Sequence, residues 1–173
     1  MSKFSYPIEH IRGIAFDVDG VLSPTVVPLG DDGVPRRMAN LKDGFAMVKA
    51  VKAGIKMAII TGAVAPGLRE RFSAIGITDF YAGVGDKLQI LKQWMADNNL
   101  KPAQVAFVGD DLPDCDAMRY VGLGVAPRDA SRDAIASASY VCNANGGYGV
   151  ARELLEEIMR AQGIWPSQSV AFG

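Results

Sequence analysis

Cysteine, histidine and long apolar runs are all scarce in this sequence. Its 173 residues include two cysteines, Cys115 and Cys142, and one histidine. Two cysteines this far apart form neither a metal-binding CxxC pair nor a disulfide framework. The longest apolar stretches, such as residues 57–60, are far too short to cross a bilayer, and the start of the chain has no secretory apolar core. These absences exclude a disulfide scaffold and predict a cytoplasmic protein with no membrane span.

An excess of charge of one sign is also missing. Lysine and arginine total 18 against 19 aspartates and glutamates, which gives a net charge of -1. A chain without a basic field has no electrostatic attraction to a nucleic-acid backbone, so nucleic acid is excluded as the expected partner. Because 49% of the residues are apolar and 21% are charged, the composition is that of a folded globule. The length predicts one domain over residues 1–173.

Apolar runs alternate with segments of helical period along the chain. Such runs, bounded by glycine and polar residues, are typical of strands covered on both faces. The alternation predicts an α/β fold, a doubly wound, Rossmann-like parallel sheet. The strongest strand candidates are residues 11–17, 56–62 and 104–110, and the weaker ones are 79–82, 123–126 and 140–142.

The segment from about residue 21 to 43 does not fit this alternation. Two apolar stretches flank the turn-like Gly30-Asp-Asp-Gly33, a pattern that predicts a β-hairpin projecting from the end of the first strand. We call this segment the flap. It is too short to be a cap domain. At the other end of the chain, residues 164–173 are predicted to form a tail beyond the core.

The three strongest strands end in polar residues, Asp17, Thr61 and Asp110, with further acids at positions 19, 111 and 114. Ligands bind beyond the carboxyl ends of such strands, so these side chains are expected to converge. Two carboxylates about 4 Å apart repel by roughly 4 kcal/mol at an effective dielectric constant near 20. A bound cation or proton sharing must relieve that repulsion, and oxygen ligands in an open pocket favour Mg²⁺ as the cation. Thr61 and Lys87 would then contact a substrate phosphate.

These motifs resemble the haloacid dehalogenase superfamily of phosphotransferases. The motifs that carry the resemblance are Asp17-Val-Asp-Gly-Val-Leu, Ile60-Thr-Gly62, Lys87 and Gly109-Asp-Asp-Leu-Pro-Asp114, in that order. The resemblance implies that Asp17 attacks phosphorus to form an aspartyl phosphate, while Asp19 acts first as general acid and then as general base. It also implies that Thr61 and Lys87 hold the phosphoryl group.

The metal ligands follow from the same resemblance. It implies that Mg²⁺ is bound by Asp17, by the backbone carbonyl of Asp19 and by Asp110. Asp111 and Asp114 would support the metal site from behind these ligands.

A closer likeness is to the small capless phosphatases of 3-deoxy-D-manno-octulosonate 8-phosphate and of nonulosonate 9-phosphates. It extends from residue 11 to residue 163 and includes Asn40-Leu-Lys-Asp-Gly44 and Gly146-Gly-Tyr-Gly-Val-Ala-Arg-Glu153. The likeness implies a homotetramer in which the flap and tail help to close a neighbouring site, and a place in lipopolysaccharide biosynthesis. The exposed apolar residues expected in the flap also indicate an interface.

Two departures from the pattern affect substrate choice. Tyr148 stands where such enzymes often have a basic residue, and Lys42 replaces an arginine. The remaining candidates for binding the sugar acid are Lys42, Arg69 and Arg152.

Two further functions compete with the phosphatase hypothesis. A phosphoacceptor signalling module also combines an acidic pocket with a threonine and a lysine, but Lys87 precedes Gly109-Asp110 here, whereas in receiver domains threonine and lysine come late. A catalytically idle interaction subunit is disfavoured because both Asp17 and Asp19 are present. Among sugar acids, the octulosonate ester is preferred over the nonulosonate ester.

Overall fold

The computed structural model describes residues 3–166 and contains one sheet of six parallel strands in the order β3-β2-β1-β4-β5-β6. This arrangement confirms the doubly wound α/β fold and all six predicted strand positions. The strand bounds are β1 Gly13–Phe16, β2 Lys56–Ile60, β3 Asp79–Tyr81, β4 Val105–Val108, β5 Leu123–Ala126 and β6 Tyr140–Val141.

Six α-helices connect and cover the strands within the described residues. They are α1 Leu41–Lys52, α2 Leu68–Ala74, α3 Lys87–Asp97, α4 Cys115–Tyr120, α5 Arg132–Ser137 and α6 Val150–Ala161. Short 3-10 turns lie at Ile8–His10, Pro102–Gln104 and Leu112–Asp114. None of the helices between residues 3 and 166 is long and apolar enough to cross a membrane.

The core lies on both faces of the sheet. Every residue of β1, β4 and β5 is buried, which explains why these strands appear in the sequence as unbroken apolar runs. Side chains from α1, α2 and α6 cover one face, and side chains from α3, α4 and α5 cover the other. The central strands are thereby held firmly, and the residues that follow β1 and β4 start from fixed positions.

The flap is less regular than the expected hairpin. Its only antiparallel bridge joins Leu29 to Pro35, and the backbone hydrogen bonds from Gly30 to Val34 and from Arg36 to Pro28 close the turn. No paired strands extend from this bridge, and the described residues include no cap domain. Of the predicted tail, Ile164, Trp165 and Pro166 are described, and residues 167–173 lie outside the described part.

Candidate active site

A cleft of about 620 Å³ opens at the carboxyl edge of the sheet. Asp17 follows β1, Thr61 follows β2, Asp110 follows β4 after one glycine, and Lys87 is the first residue of α3. The parallel topology brings these chain segments together, because all the strands point their carboxyl ends to the same edge. The cleft is lined by all seven acids, hydroxyls and cations predicted for catalysis and metal support: Asp17, Asp19, Thr61, Lys87, Asp110, Asp111 and Asp114.

A buried lysine joins two carboxylates at the base of the cleft. Lys87 Nζ lies 2.8 Å from Asp17 Oδ2 and 2.6 Å from Asp114 Oδ1. All three residues are buried. Burial alone would lower the pKa of Lys87, but the negative charges of Asp17 and Asp114 outweigh it and raise that pKa. Lys87 therefore stays charged and is fixed in place by a pair of charge-assisted hydrogen bonds.

Asp114 accepts hydrogen bonds from three neighbouring residues of the site. Its Oδ1 accepts from Lys87, and its Oδ2 accepts the backbone N–H groups of Asp110 at 2.9 Å and Asp111 at 3.2 Å. Both oxygens are thus engaged by the protein itself. Asp111 accepts the N–H of Leu112 and begins the 3-10 turn that precedes α4.

The site carries more negative charge than its lysine can balance. Burial first, and then the charge of Asp114, raise the pKa of Asp17 to about 6. Burial, followed by the charges of Asp17, Asp114 and Asp111, raises the pKa of Asp110 to about 7. Oxygens of Asp17, Asp110 and Asp114 lie within 4.8 Å of one another. Clustered oxygen donors with uncompensated charge fit a hard divalent cation such as Mg²⁺.

Two glycines bring the loop after β1 close to this cluster. This loop consists of residues 17–20, and we call it the catalytic loop. A side-chain carbon on Gly20 would lie 1.8 Å from Asp110 Oδ2, and one on Gly146 would lie 2.0 Å from the carbonyl oxygen of Gly20. Only glycine fits at either position. The Gly147 N–H also donates to the carbonyl of Val21 at 2.8 Å. The Gly146-Gly-Tyr-Gly149 motif therefore supports the catalytic loop through its backbone, while the Tyr148 side chain is 68% exposed.

Asp19 and Thr61 also line the cleft. Thr61 is buried, and its hydroxyl accepts the N–H of Ala63 at 3.1 Å, which leaves its own hydrogen to be donated. Asp19 is half exposed and accepts two hydrogen bonds from Arg37 of the flap, at 2.7 and 2.9 Å.

The predicted sugar-acid residues lie outside this cleft. Arg69 donates to the carbonyl of Phe80 and stacks on its ring. Arg152 pairs with Glu156 and stacks on the rings of Phe45 and Trp165. Lys42 lies at the start of α1 and is exposed. Substrate binding by these three residues stays a prediction.

Two other arginines near the cleft were missed by sequence reasoning. Arg37 lines the cleft and also a neighbouring cavity of about 210 Å³, and Arg71 lines that second cavity. The consecutive Arg36 and Arg37 in the flap were the available signal, because two basic residues beside an acidic loop invite ion pairing. Arg71 is one residue of an amphipathic helix and carried no distinguishing signal.

Comparisons with known proteins agree with this geometry. Residues 71–154 match the family model of haloacid dehalogenase-like hydrolases. The 3-deoxy-D-manno-octulosonate 8-phosphate phosphatase of Yersinia pestis is 39% identical over 153 residues, which cover 88% of this chain and 82% of that protein. The crystal structure of the Yersinia pestis phosphatase has a TM-score of 0.86 at 38% identity and covers 91% of this chain and 85% of that one.

A second solved structure is informative about ligands. The 3-deoxy-D-manno-octulosonate 8-phosphate phosphatase from Moraxella catarrhalis was crystallised with magnesium, phosphate and the sugar acid itself. It has a TM-score of 0.86 at 31% identity and covers 91% of this chain and 90% of that one.

Proposed function

Because the chain belongs to the 3-deoxy-D-manno-octulosonate 8-phosphate phosphatase family of haloacid dehalogenase-like hydrolases, we propose that it hydrolyses this phosphate ester with Mg²⁺. The observation that carries the proposal is the buried Asp17–Lys87–Asp114 centre at the base of an open, oxygen-rich cleft. A phosphoryl group entering this cleft meets a carboxylate nucleophile, a fixed ammonium group and a hydroxyl donor.

We assign the chemical steps to the residues that line the cleft. A carboxylate oxygen of Asp17 attacks phosphorus, and the bond from phosphorus to the sugar oxygen breaks. Asp19 donates a proton to that departing oxygen. Water then attacks the phosphorus of the aspartyl phosphate, gives a proton to Asp19 and releases phosphate and the Asp17 carboxylate. Because hydrolysis is split into two easier displacements, the weakly nucleophilic Asp17 carboxylate can carry out the first of them.

Lys87 and Thr61 stabilise charge on the phosphoryl oxygens during both displacements. Lys87 is held by Asp17 and Asp114 on either side, so it needs little reorganisation when the negative charge moves. Asp17, Asp110 and the carbonyl of Asp19 would hold Mg²⁺. When bound, the metal neutralises the excess carboxylate charge and the developing charge of the transferring group.

The homotetramer is also a proposal, and it depends on the flap. Val26 is 86% exposed and Leu29 is 69% exposed, while Leu41 nearby at the start of α1 is 81% exposed. Exposed apolar side chains concentrated in one short segment are typical of an interface. A second copy of the chain would cover the flap, of which Thr25 and Arg37 line the cleft. A cytoplasmic location and a part in lipopolysaccharide biosynthesis are proposed together with this assembly.

A substrate screen tests the function. Phosphate release is measured on 3-deoxy-D-manno-octulosonate 8-phosphate, on nonulosonate 9-phosphates and on simple sugar phosphates, with Mg²⁺ and after chelation. We expect the highest kcat/KM for the octulosonate ester, complete loss of activity in chelator and recovery when Mg²⁺ is added. A higher kcat/KM for a nonulosonate ester would transfer the assignment to that acid, and full activity in chelator would contradict the metal site.

A further inference from the structure

We propose that Arg37 is a positioning residue for Asp19, and that the flap acts in catalysis by holding this acid in the orientation from which it transfers its proton. The inference rests on the proposed function, in which Asp19 is the proton donor. It adds a role for a residue of the flap, a segment that contributes none of the catalytic side chains.

The geometry of the pair is suited to orienting a carboxylate. Arg37 Nε donates to Asp19 Oδ1 at 2.7 Å, and Arg37 Nη2 donates to Asp19 Oδ2 at 2.9 Å. Because the two donors of a guanidinium lie in one rigid plane, such a pair fixes the plane of the carboxylate as well as its distance. A lysine at this position would supply charge without that planar fork.

The arginine is the better-anchored member of the pair. Its side chain is 15% exposed, whereas that of Asp19 is 51% exposed. The next residue, Met38, donates its backbone N–H to the hydroxyl of the buried Ser23 at 3.0 Å. The segment beside Arg37 is therefore fastened to the start of the flap, which follows Asp19 closely in the chain.

Asp19 depends on this contact for its orientation. Among residues 3–166, Arg37 is the only side chain that donates a hydrogen bond to the Asp19 carboxylate. Without it, a half-exposed aspartate can rotate about both of its side-chain bonds. Since general acid catalysis needs the donor within hydrogen-bond reach of the leaving oxygen, this freedom lowers the rate of proton transfer.

The neighbouring arginine provides a matched control. Arg36 pairs with Asp32 at 2.9 Å in the same turn, and both side chains of that pair are 55% exposed. It does not line the catalytic cleft. Arg36→Gln thus removes the same charge from the adjacent position of the flap without touching Asp19.

The test compares two leaving groups. An alkoxide from a sugar phosphate needs a proton as it departs, whereas 4-nitrophenolate departs readily without one. We expect Arg37→Gln to lower kcat/KM for the octulosonate ester by about 10-fold to 100-fold and for 4-nitrophenyl phosphate by less than about threefold. Arg37→Lys should fall between the wild type and Arg37→Gln, and Arg36→Gln should match the wild type on both esters.

Several results would overturn the proposal. Equal losses on both esters would mean that Arg37 binds the phosphoryl group or acts only on the fold. A gain in kcat/KM would mean that the pair holds Asp19 away from its working position. Adding Arg37→Gln to Asp19→Ala should cause no further loss, because the two residues act through one group; additive losses would contradict the coupling.

A crystal structure of Arg37→Gln separates this inference from the assigned substrate. We expect the Asp19 side chain to be disordered or turned away from its wild-type position while Asp17 and Lys87 are unchanged. An unaltered Asp19 would overturn the proposal whatever the substrate is. If the wild-type enzyme fails to hydrolyse the octulosonate ester, the proposed substrate is wrong, and the comparison is made with whichever sugar phosphate it does hydrolyse.

Discussion

Two ion-pair centres line the cleft, and they differ in burial and in the regularity of the segments that carry them. At its base, Lys87 lies between Asp17 and Asp114, and its side chain is 5% exposed. At its rim, Arg37 of the flap holds Asp19, which is half exposed. The first centre is built from the residue after β1, the first residue of α3 and the turn before α4, whereas the second depends on an irregular loop. In the proposed mechanism, phosphoryl transfer takes place at the buried centre and proton transfer at the exposed one.

Asp17, the proposed nucleophile at the base of the cleft, gives the largest expected effect. Asp17→Asn removes the attacking oxygen while preserving shape, so phosphate release should fall by more than about 10³-fold. The measurement is phosphate release at saturating Mg²⁺. Asp116→Asn is the control, because Asp116 is an exposed acid of α4 paired with Arg119, and it should retain full activity. Substantial turnover by Asp17→Asn would remove Asp17 as the nucleophile.

Lys87 tests how much the buried centre contributes to stability. Lys87→Met leaves two buried carboxylates without their cation, and we expect the free energy of unfolding at pH 8 to fall by about 3–5 kcal/mol. The loss should be smaller at pH 5, because the pKa of Asp17 is raised to about 6 even beside Lys87 and removal of this cation raises it further. A proton can then neutralise the Asp17 carboxylate at pH 5. Thermal unfolding at both pH values is the measurement.

Lys92→Met is the matched control for Lys87→Met, since Lys92 is exposed and lies over the ring of Tyr120. Equal stability of the two variants at pH 8 would show that the buried centre contributes little.

Asp43 is a buried acid that belongs to neither centre. Its Oδ1 accepts the N–H of Arg152 at 2.8 Å, and its Oδ2 has no hydrogen-bond partner among residues 3–166. Burial raises the pKa of Asp43 to about 6. A raised pKa means that the folded state binds the proton more tightly than the unfolded state, so stability decreases as the pH rises from about 4 to about 6.

Asp43→Asn should remove this cost while its amide oxygen still accepts from Arg152. We expect a gain in the free energy of unfolding on the order of 1–3 kcal/mol at pH 7.5 and almost none at pH 4. Chemical denaturation at both pH values is the measurement. An equal change at both pH values would mean that the effect comes from packing and not from the charge.

The flap gives the smallest expected effect on the subunit itself. Replacing Val26 and Leu29 with serine alters two exposed side chains, so the stability of one subunit should change by less than about 0.5 kcal/mol. If the flap forms the proposed tetramer interface, light scattering should show smaller species. A mass that stays at four subunits would place the interface elsewhere. Val141→Ser, at an exposed residue of β6, is the control.

The sequence predicted the base of the cleft better than its rim. The strands that end in Asp17, Thr61 and Asp110 were identifiable because apolar runs and a parallel topology determine where their ends meet. The Arg37–Asp19 pair joins residues 18 positions apart through an irregular loop, and no periodicity encodes such a contact. The same limit applies to the flap, where apolar residues on either side of a turn predicted paired strands and the structure has one bridge.

The sugar-acid residues were difficult for a related reason. Arg69 and Arg152 are basic, but each is already engaged, one by a carbonyl and a ring and the other by Glu156 and two rings. Charge in a sequence does not reveal which side chains are committed to packing. The sequence also does not reveal which acids are buried. Asp43 is buried against α6, but nothing in the sequence distinguishes it from an acid in solvent.

Gly20 packs closely against Asp110 and Gly146, whereas the neighbouring Asp19 side chain is held by an exposed ion pair. These two kinds of contact respond differently to salt. Close packing of uncharged groups, such as Gly20 against the backbone of Gly146, is little affected by dissolved ions, whereas an exposed ion pair weakens as they accumulate. Concentrated salt would therefore loosen the Asp19 side chain from Arg37 while the backbone of Gly20 keeps its position. Packing holds the backbone of this loop, and the Asp19 side chain is the part that meets the solvent.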